Sequence, residues 1–287
     1  MRRFINCIAH NSSDGNLLLG EDKAALFDCG MAFCAGETIQ RVRDALQGRP
    51  LDFIFLTHTH YDHIGSLPFF KQEWPEARVV TSAAGAAVLL KDTPRRVIRE
   101  LSAVAAKERN VELDLSYSDD AFQADVIVKE GDALPLGGLT VEVLETPGHT
   151  RDSLCFFIPE LELLILNETP GVLMPDGTIY PCYLTGFHDT VRSIEKCRAK
   201  NAQTLSLPHR GLATKEEAGG FFGKALAANI TCRDFVLSLN GLSEEEILET
   251  FFRRYASDVL MTYQPKEAFL ANARATIACT FAEMPRL

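Results

Sequence analysis

The sequence predicts a protein of the α+β class, in which a strand-rich module is followed by an all-helical segment. Two observations support this class. Residues 4–211 contain short apolar runs that alternate with turns and with segments of helical spacing. After residue 211, helix-forming residues dominate to the end of the chain. We therefore predict two units, a domain over residues 1–211 and a helical cap over residues 212–287.

The first strands are predicted where short apolar runs end in turn-forming residues. These runs cover residues 4–10, 16–22, 24–30, 51–57 and 78–82. The run 51–57 is apolar almost throughout, which is typical of a strand that is buried on both faces. Helices are predicted where apolar side chains recur every three or four positions, at residues 37–47, 64–72, 83–90 and 93–109. The polar segment 110–124 predicts a surface loop.

The second half continues with strands and then turns helical. Strands are predicted within residues 125–131, 139–148, 152–160, 161–171 and 204–209, with a helix at 189–200. Gly137-Gly138 indicates a hairpin turn. Four helices are predicted beyond residue 211, at about 214–228, 231–239, 243–263 and 265–281. Ser243 and Glu246 have the spacing of a capping box, which marks the start of the third of these helices.

Composition and charge exclude several classes of function. The 287 residues include 29 Lys and Arg against 39 Asp and Glu, so the formal net charge is −10. Because nucleic-acid backbones require a basic surface, no nucleic-acid partner is expected. No apolar run approaches the ~20 residues of a membrane span, and no export signal is recognisable. We predict a cytoplasmic protein with a small-molecule substrate and no membrane partner, and leave a homodimer open.

The cysteines are not expected to bind metal. All eight are widely spaced in the chain, and none forms a CxxC pair. In a chain of this length without an export signal, this pattern predicts reduced and mostly buried thiols.

Three histidines and an aspartate lie close together directly after the apolar run 51–57. They are His58, His60, Asp62 and His63. Imidazoles crowded at a strand end would repel one another when protonated and would leave hydrogen-bonding groups unused when neutral. A divalent cation removes this conflict, because neutral imidazole nitrogens and carboxylates are suitable ligands for it. The run therefore predicts a metal site.

This run resembles the HxHxDH signature of the metallo-β-lactamase-fold hydrolases. Three later residues fit further motifs of that family in the expected order: His149 in a Thr-Pro-Gly-His-Thr segment, Glu168 after an apolar run, and His209 at the end of another. The resemblance covers residues 4–211. It implies a four-layer αββα sandwich, to which the helical segment is a C-terminal extension.

The resemblance also implies a centre with two divalent metal ions, zinc first, with iron or manganese as alternatives. The implied ligands of one ion are His58, His60 and His149, those of the other are Asp62, His63 and His209, and Glu168 bridges the two.

The fourth motif departs from the family pattern, which usually ends in Gly-Asp, whereas this chain has Asn167-Glu168. Glutamate is longer by one methylene, so three outcomes are open. Glu168 could bridge both ions, bind one ion only, or weaken the second site. We expect both ions to be retained, because every other ligand is present.

Three further residues are assigned roles by the resemblance. Asp28 ends the run 24–30, where family members carry an aspartate that orients a ligand histidine, although a simple turn residue is the alternative. Tyr180 and Tyr183 follow the fourth motif and are expected to bind substrate through their hydroxyl groups. Packing is the alternative for both tyrosines. His188, outside the motifs, is expected at a helix start or on the surface.

The implied function is that of a hydrolase in which a metal-bound hydroxide attacks an ester-type bond and Asp62 is the catalytic residue that moves the proton. A thioester or lactone is favoured over a phosphodiester, because the chain shows no basic cluster. The alternatives are a mononuclear or diiron oxidoreductase, such as a persulfide dioxygenase, and a binding or regulatory member without turnover. Diiron reductases of this fold carry Glu where this chain has His60. β-Lactam hydrolysis is not expected, because those enzymes are exported.

Overall fold

Two six-stranded β-sheets form the centre of the molecule. The computed structural model describes residues 4–10 and 13–283. The domains predicted over 1–211 and 212–287 therefore include a few terminal and loop positions that lie outside the described residues. Within the described residues, no helix is both long enough and apolar enough to cross a membrane.

The first sheet has its strands in the order in which they occur along the chain. Its members are β1 (Phe4–Asn6), β2 (Asn16–Leu19), β3 (Ala24–Phe27), β4 (Phe53–Phe55), β5 (Arg78–Ser82) and β6 (Val126–Val128). The pairs β1–β2 and β2–β3 are antiparallel, whereas β3 to β6 pair in parallel. The parallel half places the carboxyl ends of β3 and β4 side by side.

The second sheet has the order β14-β13-β10-β9-β8-β7. Its strands are β7 (Ala133–Pro135), β8 (Thr140–Glu145), β9 (Leu154–Ile158), β10 (Leu163–Ile165), β13 (Thr204–Leu207) and β14 (Gly211–Leu212). Only β10 and β13 pair in parallel, so their carboxyl ends meet at one edge. A separate hairpin is formed by β11 (Val172–Leu173) and β12 (Ile179–Tyr180).

Helices cover the outer faces of both sheets. Those before the second sheet are α1 (Ala35–Leu46), α2 (Tyr61–Ile64), α3 (Leu67–Glu73), α4 (Ala83–Leu89) and α5 (Asp92–Glu108). Those after it are α6 (Phe187–Ala199), α7 (Lys215–Ala218), α8 (Phe221–Ser238), α9 (Glu244–Tyr255), α10 (Leu260–Tyr263) and α11 (Lys266–Ala282).

The alternation of side chains along the strands creates four layers. In the first sheet, Leu17 and Leu26 pack in one cluster with α1, α3 and α5. Their neighbours Leu18 and Phe27 point the other way, into a cluster shared with Phe156 of the second sheet. The outer face of the second sheet packs on α6 and α8. The predicted αββα sandwich with a C-terminal helical region is therefore confirmed.

The C-terminal helices share their core with the second half of the sandwich. Phe251 and Phe269 pack in one cluster with Tyr180, Tyr183 and Phe187, which precede or begin α6. Phe221 of α8 packs beneath the second sheet itself. These contacts bring the helices close to the strand ends of the second sheet. The division of the chain into two domains stays a prediction.

Several element boundaries differ from those predicted. The helices predicted at 214–228 and 231–239 are instead the short α7 and one continuous helix, α8. Asn229 fits inside α8 because its side-chain amide donates to the carbonyls of Ala225 and Pro170. The hairpin β11–β12 and the strand β14 were not predicted. The capping box of Ser243 and Glu246 is confirmed at the start of α9.

All eight cysteines are free thiols, and only Cys279 is not fully buried. The prediction of reduced, mostly buried cysteines agrees with this arrangement.

Candidate metal centre

The loop after β4 carries the first four predicted ligands into the space between the sheet edges. His60 precedes α2 in an extended conformation, and the chain turns into a single helical turn over Tyr61–Ile64. The carbonyl of His63 accepts hydrogen bonds from the backbone N–H groups of Cys29 and Gly30, at 2.9 Å each. These bonds tie the loop to the segment after β3 and fix the direction of the His63 side chain.

The first group of potential ligands consists of His58, His60 and His149, the three residues that the resemblance assigns to one ion. One nitrogen of each ring lies within 4.8 Å of the others, close enough for the three to hold one ion. His149 follows β8, and its Nδ1 lies 2.8 Å from the carbonyl oxygen of Cys182. An Nδ1–H that donates there leaves Nε2 as a free base, and Nε2 is 3.0 Å from Nδ1 of His60.

The second group consists of Asp14, His63, Glu168 and His209, whose ligand atoms also lie within 4.8 Å of one another. Glu168 follows β10 and His209 follows β13, so the parallel pairing of these strands brings the two residues together. Oε1 of Glu168 lies 2.6 Å from Nε2 of His63 and 2.9 Å from Nε2 of His209.

Glu168 also reaches the first group. Its second carboxylate oxygen, Oε2, lies 3.6 Å from Nδ1 of His58. The side chain is buried, with only 3% of the residue exposed. One carboxylate thus lies between the two groups, in the position that the resemblance assigns to a bridging ligand, in spite of the Gly-Asp to Asn-Glu departure.

Asp62, predicted as a ligand of the second ion, lies somewhat apart from that group. Its Oδ2 is 3.8 Å from Nε2 of His63 and 3.8 Å from Nε2 of His209. It therefore faces the same ring nitrogens as Glu168 does. The side chain is 21% exposed, more than the carboxylates of Asp14, Asp28 and Glu168, and it borders a cavity.

Asp14 is the site residue that the sequence analysis missed. Its Oδ2 accepts a hydrogen bond from the backbone N–H of His209 at 2.9 Å and lies 3.4 Å from Nδ1 of the same residue. It lies 3.9 Å from Nδ1 of His63. Asp14 thus contacts both rings on the Nδ1 side, opposite the Nε2 atoms that face Glu168. This geometry suits a carboxylate that orients the two histidines.

Asp28 contacts His63 from behind, as expected for an orienting carboxylate. Its Oδ2 lies 2.9 Å from Nδ1 of His63 and accepts the Thr57 hydroxyl at 2.7 Å, while Oδ1 accepts the Thr57 N–H at 2.8 Å. The Thr57 hydroxyl is also 3.1 Å from Nδ1 of His58. Asp28 has a left-handed backbone conformation, φ +56°, which its short polar side chain tolerates.

The pKa values of the buried histidines separate into two kinds. Burial, followed by the proximity of His63, holds the pKa of His58 well below its usual value, and burial with His60 lowers the pKa of His149 to about 4. Burial would also lower the pKa of His209, but the carboxylates of Asp14 and Glu168 outweigh it and raise this pKa to about 8. His58 and His149 are therefore neutral at pH 7, which is the form that binds metal.

The pKa values of two buried carboxylates shift in opposite directions. Burial would raise the pKa of Glu168, but His63 and His58 hold it well below the usual range. Burial raises the pKa of Asp14 to about 6, against the opposing effect of His209 and His63.

The donor set fits divalent ions. Six buried atoms of the two groups have no hydrogen-bond partner among the described residues: Oδ1 of Asp14, Nε2 of His58, Nε2 of His63, Nδ1 of His209 and both carboxylate oxygens of Glu168. Leaving such atoms unpaired in a protein interior costs about 1–3 kcal/mol each, and more for a charged group. Cations placed between neutral imidazoles and a carboxylate would provide a partner for Nε2 of His58, Nε2 of His63 and the two oxygens of Glu168. No cysteine is part of either group within the described chain.

A cavity of about 210 Å³ opens onto this centre. His60, Asp62, His149, Glu168 and His209 line its inner end. Its outer wall is formed by side chains of α5, α10 and α11.

The two tyrosines predicted to bind substrate lie in different places. Tyr180 lines the cavity. Tyr183 is not among the lining residues; it is fully buried, and its hydroxyl lies 3.0 Å from Oγ1 of Thr280 in α11. That hydroxyl is engaged within the helical cluster, so packing, the alternative considered for Tyr183, describes it better. His188 is exposed near the start of α6, as expected.

Comparisons with curated proteins find partial relatives. A coenzyme F420H(2) oxidase of Methanothermobacter marburgensis is 30% identical over 159 residues, which are 54% of this chain and 33% of that protein. A hydroxyacylglutathione hydrolase of Synechococcus sp. is 32% identical over 120 residues, which are 41% of this chain and 35% of that protein. The matched segments thus cover about a third of the length of these relatives.

A solved structure matches almost the whole chain, and a family model matches more than half of it. A metallo-beta-lactamase superfamily protein from Sulfolobus tokodaii superimposes with a TM-score of 0.65 at 17% identity, covering 99% of this chain and 100% of that chain. This likeness concerns the fold, and its coverage includes the C-terminal helices. The family model described as metallo-beta-lactamase superfamily matches residues 13–200, well over half of the chain. The chain therefore belongs to the metallo-beta-lactamase superfamily.

Proposed function

We propose that the protein is a metal-dependent hydrolase that acts on a carboxylic ester-type bond, either a thioester or a lactone. The observation that carries the proposal is the position of Glu168. Its buried carboxylate lies between two groups of ligating side chains, 2.6 Å from Nε2 of His63 and 3.6 Å from Nδ1 of His58. Both groups border one cavity, so a substrate that enters it would meet the whole centre.

In this proposal the centre holds two ions, and Asp62 takes the place of Asp14 among the ligands of the second. His58, His60 and His149 would bind the first, His63, His209 and Asp62 the second, and Glu168 would contribute an oxygen to each. Divalent ions bound there would supply a water activated for attack near neutral pH and would polarise the carbonyl oxygen of the substrate. Asp14 and Asp28 would orient His209 and His63 through their Nδ1 atoms.

Asp62 is the residue proposed to move the proton. Among the carboxylates of the centre it is the most exposed, and it lines the cavity beside Nε2 of His63 and of His209. A carboxylate there can accept the proton of the attacking water and deliver it to the leaving thiol or alcohol.

The cavity supports a carboxylic rather than a phosphate ester. Among its lining residues, all within the described chain, there is no lysine or arginine. Apart from the metal ions themselves, the wall therefore provides no cationic group for the charge of a phosphodiester. The hydroxyacylglutathione hydrolase relative is consistent with this preference, because its name describes cleavage of an acyl-glutathione bond.

An oxidoreductase is the second candidate. The coenzyme F420H(2) oxidase relative, 30% identical over 159 residues, favours it. The oxygen ligands Glu168 and Asp62 would also suit iron. For this candidate function, the substrate would be a compound that dioxygen oxidises, such as a persulfide.

Metal analysis combined with a substrate panel tests the proposal. Protein purified without chelators is assayed with an acyl thioester, a lactone, a phosphodiester and glutathione persulfide, while oxygen consumption is recorded. We expect close to two metal equivalents per chain and hydrolysis of the thioester or the lactone. Oxygen consumption with the persulfide and no hydrolysis of the other compounds would replace the hydrolase by the oxidoreductase.

A His58→Ala variant links the activity to the centre. This variant should lose both metal and turnover, whereas His188→Ala, which changes an exposed histidine outside the centre, should lose neither. Full turnover in His58→Ala would remove the metal from the mechanism.

A further inference from the structure

The outer wall of the cavity is apolar and is built by helices that carry none of the potential metal ligands. Val97 and Leu101 of α5 form one side, and Leu260, Ala268 and Ala271 of α10 and α11 form the other. Leu260 is buried, whereas 40% of Val97 is exposed although it is a large apolar residue. Several apolar side chains that line one concave cavity are typical of a site for a ligand with an apolar part.

The volume of the cavity limits how much of a ligand can lie inside the apolar wall. The space measures about 210 Å³. A cavity of about 150 Å³ accommodates benzene, with six non-hydrogen atoms, so about eight such atoms would fit here. Ala268 and Ala271 lie three positions apart in α11 and contribute only a methyl group each to the wall, so a larger side chain at either position would reduce this volume.

Polar groups in this wall are uncharged. The side-chain amide of Asn272 donates to Oε1 of Gln264 at 3.2 Å. Whichever way the two amides are oriented, their contact uses one donor and one acceptor and leaves one of each for a ligand or water. Together with the absence of lysine and arginine from the described lining, this wall matches a neutral group.

We propose that this wall, formed by Val97, Leu101, Leu260, Ala268 and the Gln264–Asn272 pair, is the acyl-binding site of the enzyme, and that it admits an uncharged, mainly apolar acyl group of at most about eight non-hydrogen atoms. That the bound group is an acyl group rests on the proposed function. The size limit and the preference for an uncharged group rest on the wall alone.

Binding of uncharged ketones tests the site without requiring turnover. Methyl ketones of four to fourteen carbons carry a carbonyl but no leaving group, and their binding to the metal-loaded protein is measured by calorimetry. Each added methylene should raise the affinity by up to about fourfold until about eight carbons, and longer chains should gain nothing more. A ketone of equal length that ends in a sulfonate, a weak metal ligand, should bind at least tenfold more weakly.

Two variants move the limit in opposite directions. Ala268→Leu fills the cavity by about three carbon atoms and should move the plateau to ketones that are about three carbons shorter. Leu260→Ala should move it to longer chains. Ala278→Leu is the matched control, because Ala278 is exposed on the same helix and lines a different groove with Ile247 and Phe281. Melting temperatures of all three variants verify that they fold.

The outcomes separate this inference from the proposed function. A plateau that moves as described, with no ester hydrolysed, would refute the hydrolase and retain the site. Hydrolysis of esters with no limit of chain length would retain the hydrolase and refute the site. Affinity that still rises beyond twelve carbons, an unmoved plateau in both folded variants, equal binding of the sulfonate, or no ketone binding would each overturn the inference.

Discussion

Asp28 Oδ2 lies 2.9 Å from Nδ1 of His63, and the same carboxylate accepts both the backbone N–H and the hydroxyl of Thr57. The two residues are 35 positions apart. Asp28 directly follows β3, His63 lies in α2 after β4, and these two strands pair in parallel. A carboxylate on Nδ1 fixes the proton on that nitrogen and leaves Nε2 free to bind a cation. Strand pairing in the first sheet thus determines the chemistry of a ligand nitrogen.

Replacing Asp28 by Asn should weaken metal binding. Asparagine retains the shape and tolerates the left-handed backbone, but it offers one acceptor to His63 and Thr57 instead of two. We expect the affinity for metal to fall by 10–100-fold, measured by competition with a chelator of known affinity. Asp52→Asn is the control, because the carboxylate of Asp52 accepts a hydrogen bond only from the backbone N–H of Ala24 among the described residues. Equal metal affinity in the Asp28 variant and the wild type would contradict the orienting role.

Replacing Glu168 by Gln should change the metal stoichiometry. The variant keeps the length of the side chain and removes the charge that lies between the two groups. We expect two equivalents in the wild type and at most one in Glu168→Gln, measured by elemental analysis of protein dialysed against metal-free buffer. Glu142→Gln, which changes a carboxylate that pairs with Lys200, should leave the content unchanged. Two equivalents retained in Glu168→Gln would argue against the bridging position.

Removal of metal should lower the melting temperature. Ions that bind only the folded chain add about 2.7 kcal/mol at a free concentration of 100 times Kd. For a chain of this size that corresponds to roughly 5–10 °C. We expect a chelator to lower the melting temperature by that amount, and zinc, iron or manganese to restore it in the order of their affinity. The His58→Ala variant should respond much less, and an equal response would place the bound metal elsewhere.

Most of the side chains that meet at the candidate centre could be identified from the sequence because they are local or follow strands in a recognisable order. His58, His60 and His63 occupy one loop, and His149 and His209 each follow an apolar run. Their convergence needs only the rule that ligands collect at the carboxyl ends of strands.

Asp14 could not be predicted, because its role depends on a contact across 195 positions of the chain. In the sequence it is one of several polar residues in a turn-forming segment, and nothing local distinguishes it from a solvent-exposed turn residue. Its partner His209 adopts a left-handed conformation, φ +60°, which only the folded chain reveals. The same limit applies to Tyr183, whose hydroxyl is bound by Thr280 of a helix 97 positions away.

Replacing Ser243 by Ala should destabilise the C-terminal helices without affecting the centre. The Ser243 hydroxyl caps α9 in a reciprocal pair with Glu246, and loss of such a cap costs about 1 kcal/mol. We expect the free energy of unfolding in urea to fall by about that amount, with unchanged metal content. In Ser238→Ala, whose hydroxyl donates only to a carbonyl of its own helix among the described residues, the change should stay within about 0.5 kcal/mol. An equal loss in both variants would contradict the capping contribution.

Gly148 should tolerate no side chain. It precedes His149 with φ +146°, and a β-carbon there would lie 2.2 Å from Oγ1 of Thr190 in α6. Its carbonyl accepts the N–H groups of Leu184 and Thr185, which lie just before α6. The backbone of Gly148 therefore cannot move away from α6 without breaking those hydrogen bonds. Gly148→Ala should therefore cost at least about 2 kcal/mol of folding free energy and displace His149 from the first group.

Gly36→Ala is the matched control for that variant. Gly36 lies within α1, where a β-carbon meets nothing within 4 Å, so alanine should raise the stability by about 0.5–1 kcal/mol through its helix propensity. Urea unfolding and metal content measured on both variants separate the two effects. A stable Gly148→Ala protein with full metal content would mean that the turn before His149 can relax, and that the position of this ligand does not depend on the close approach of α6.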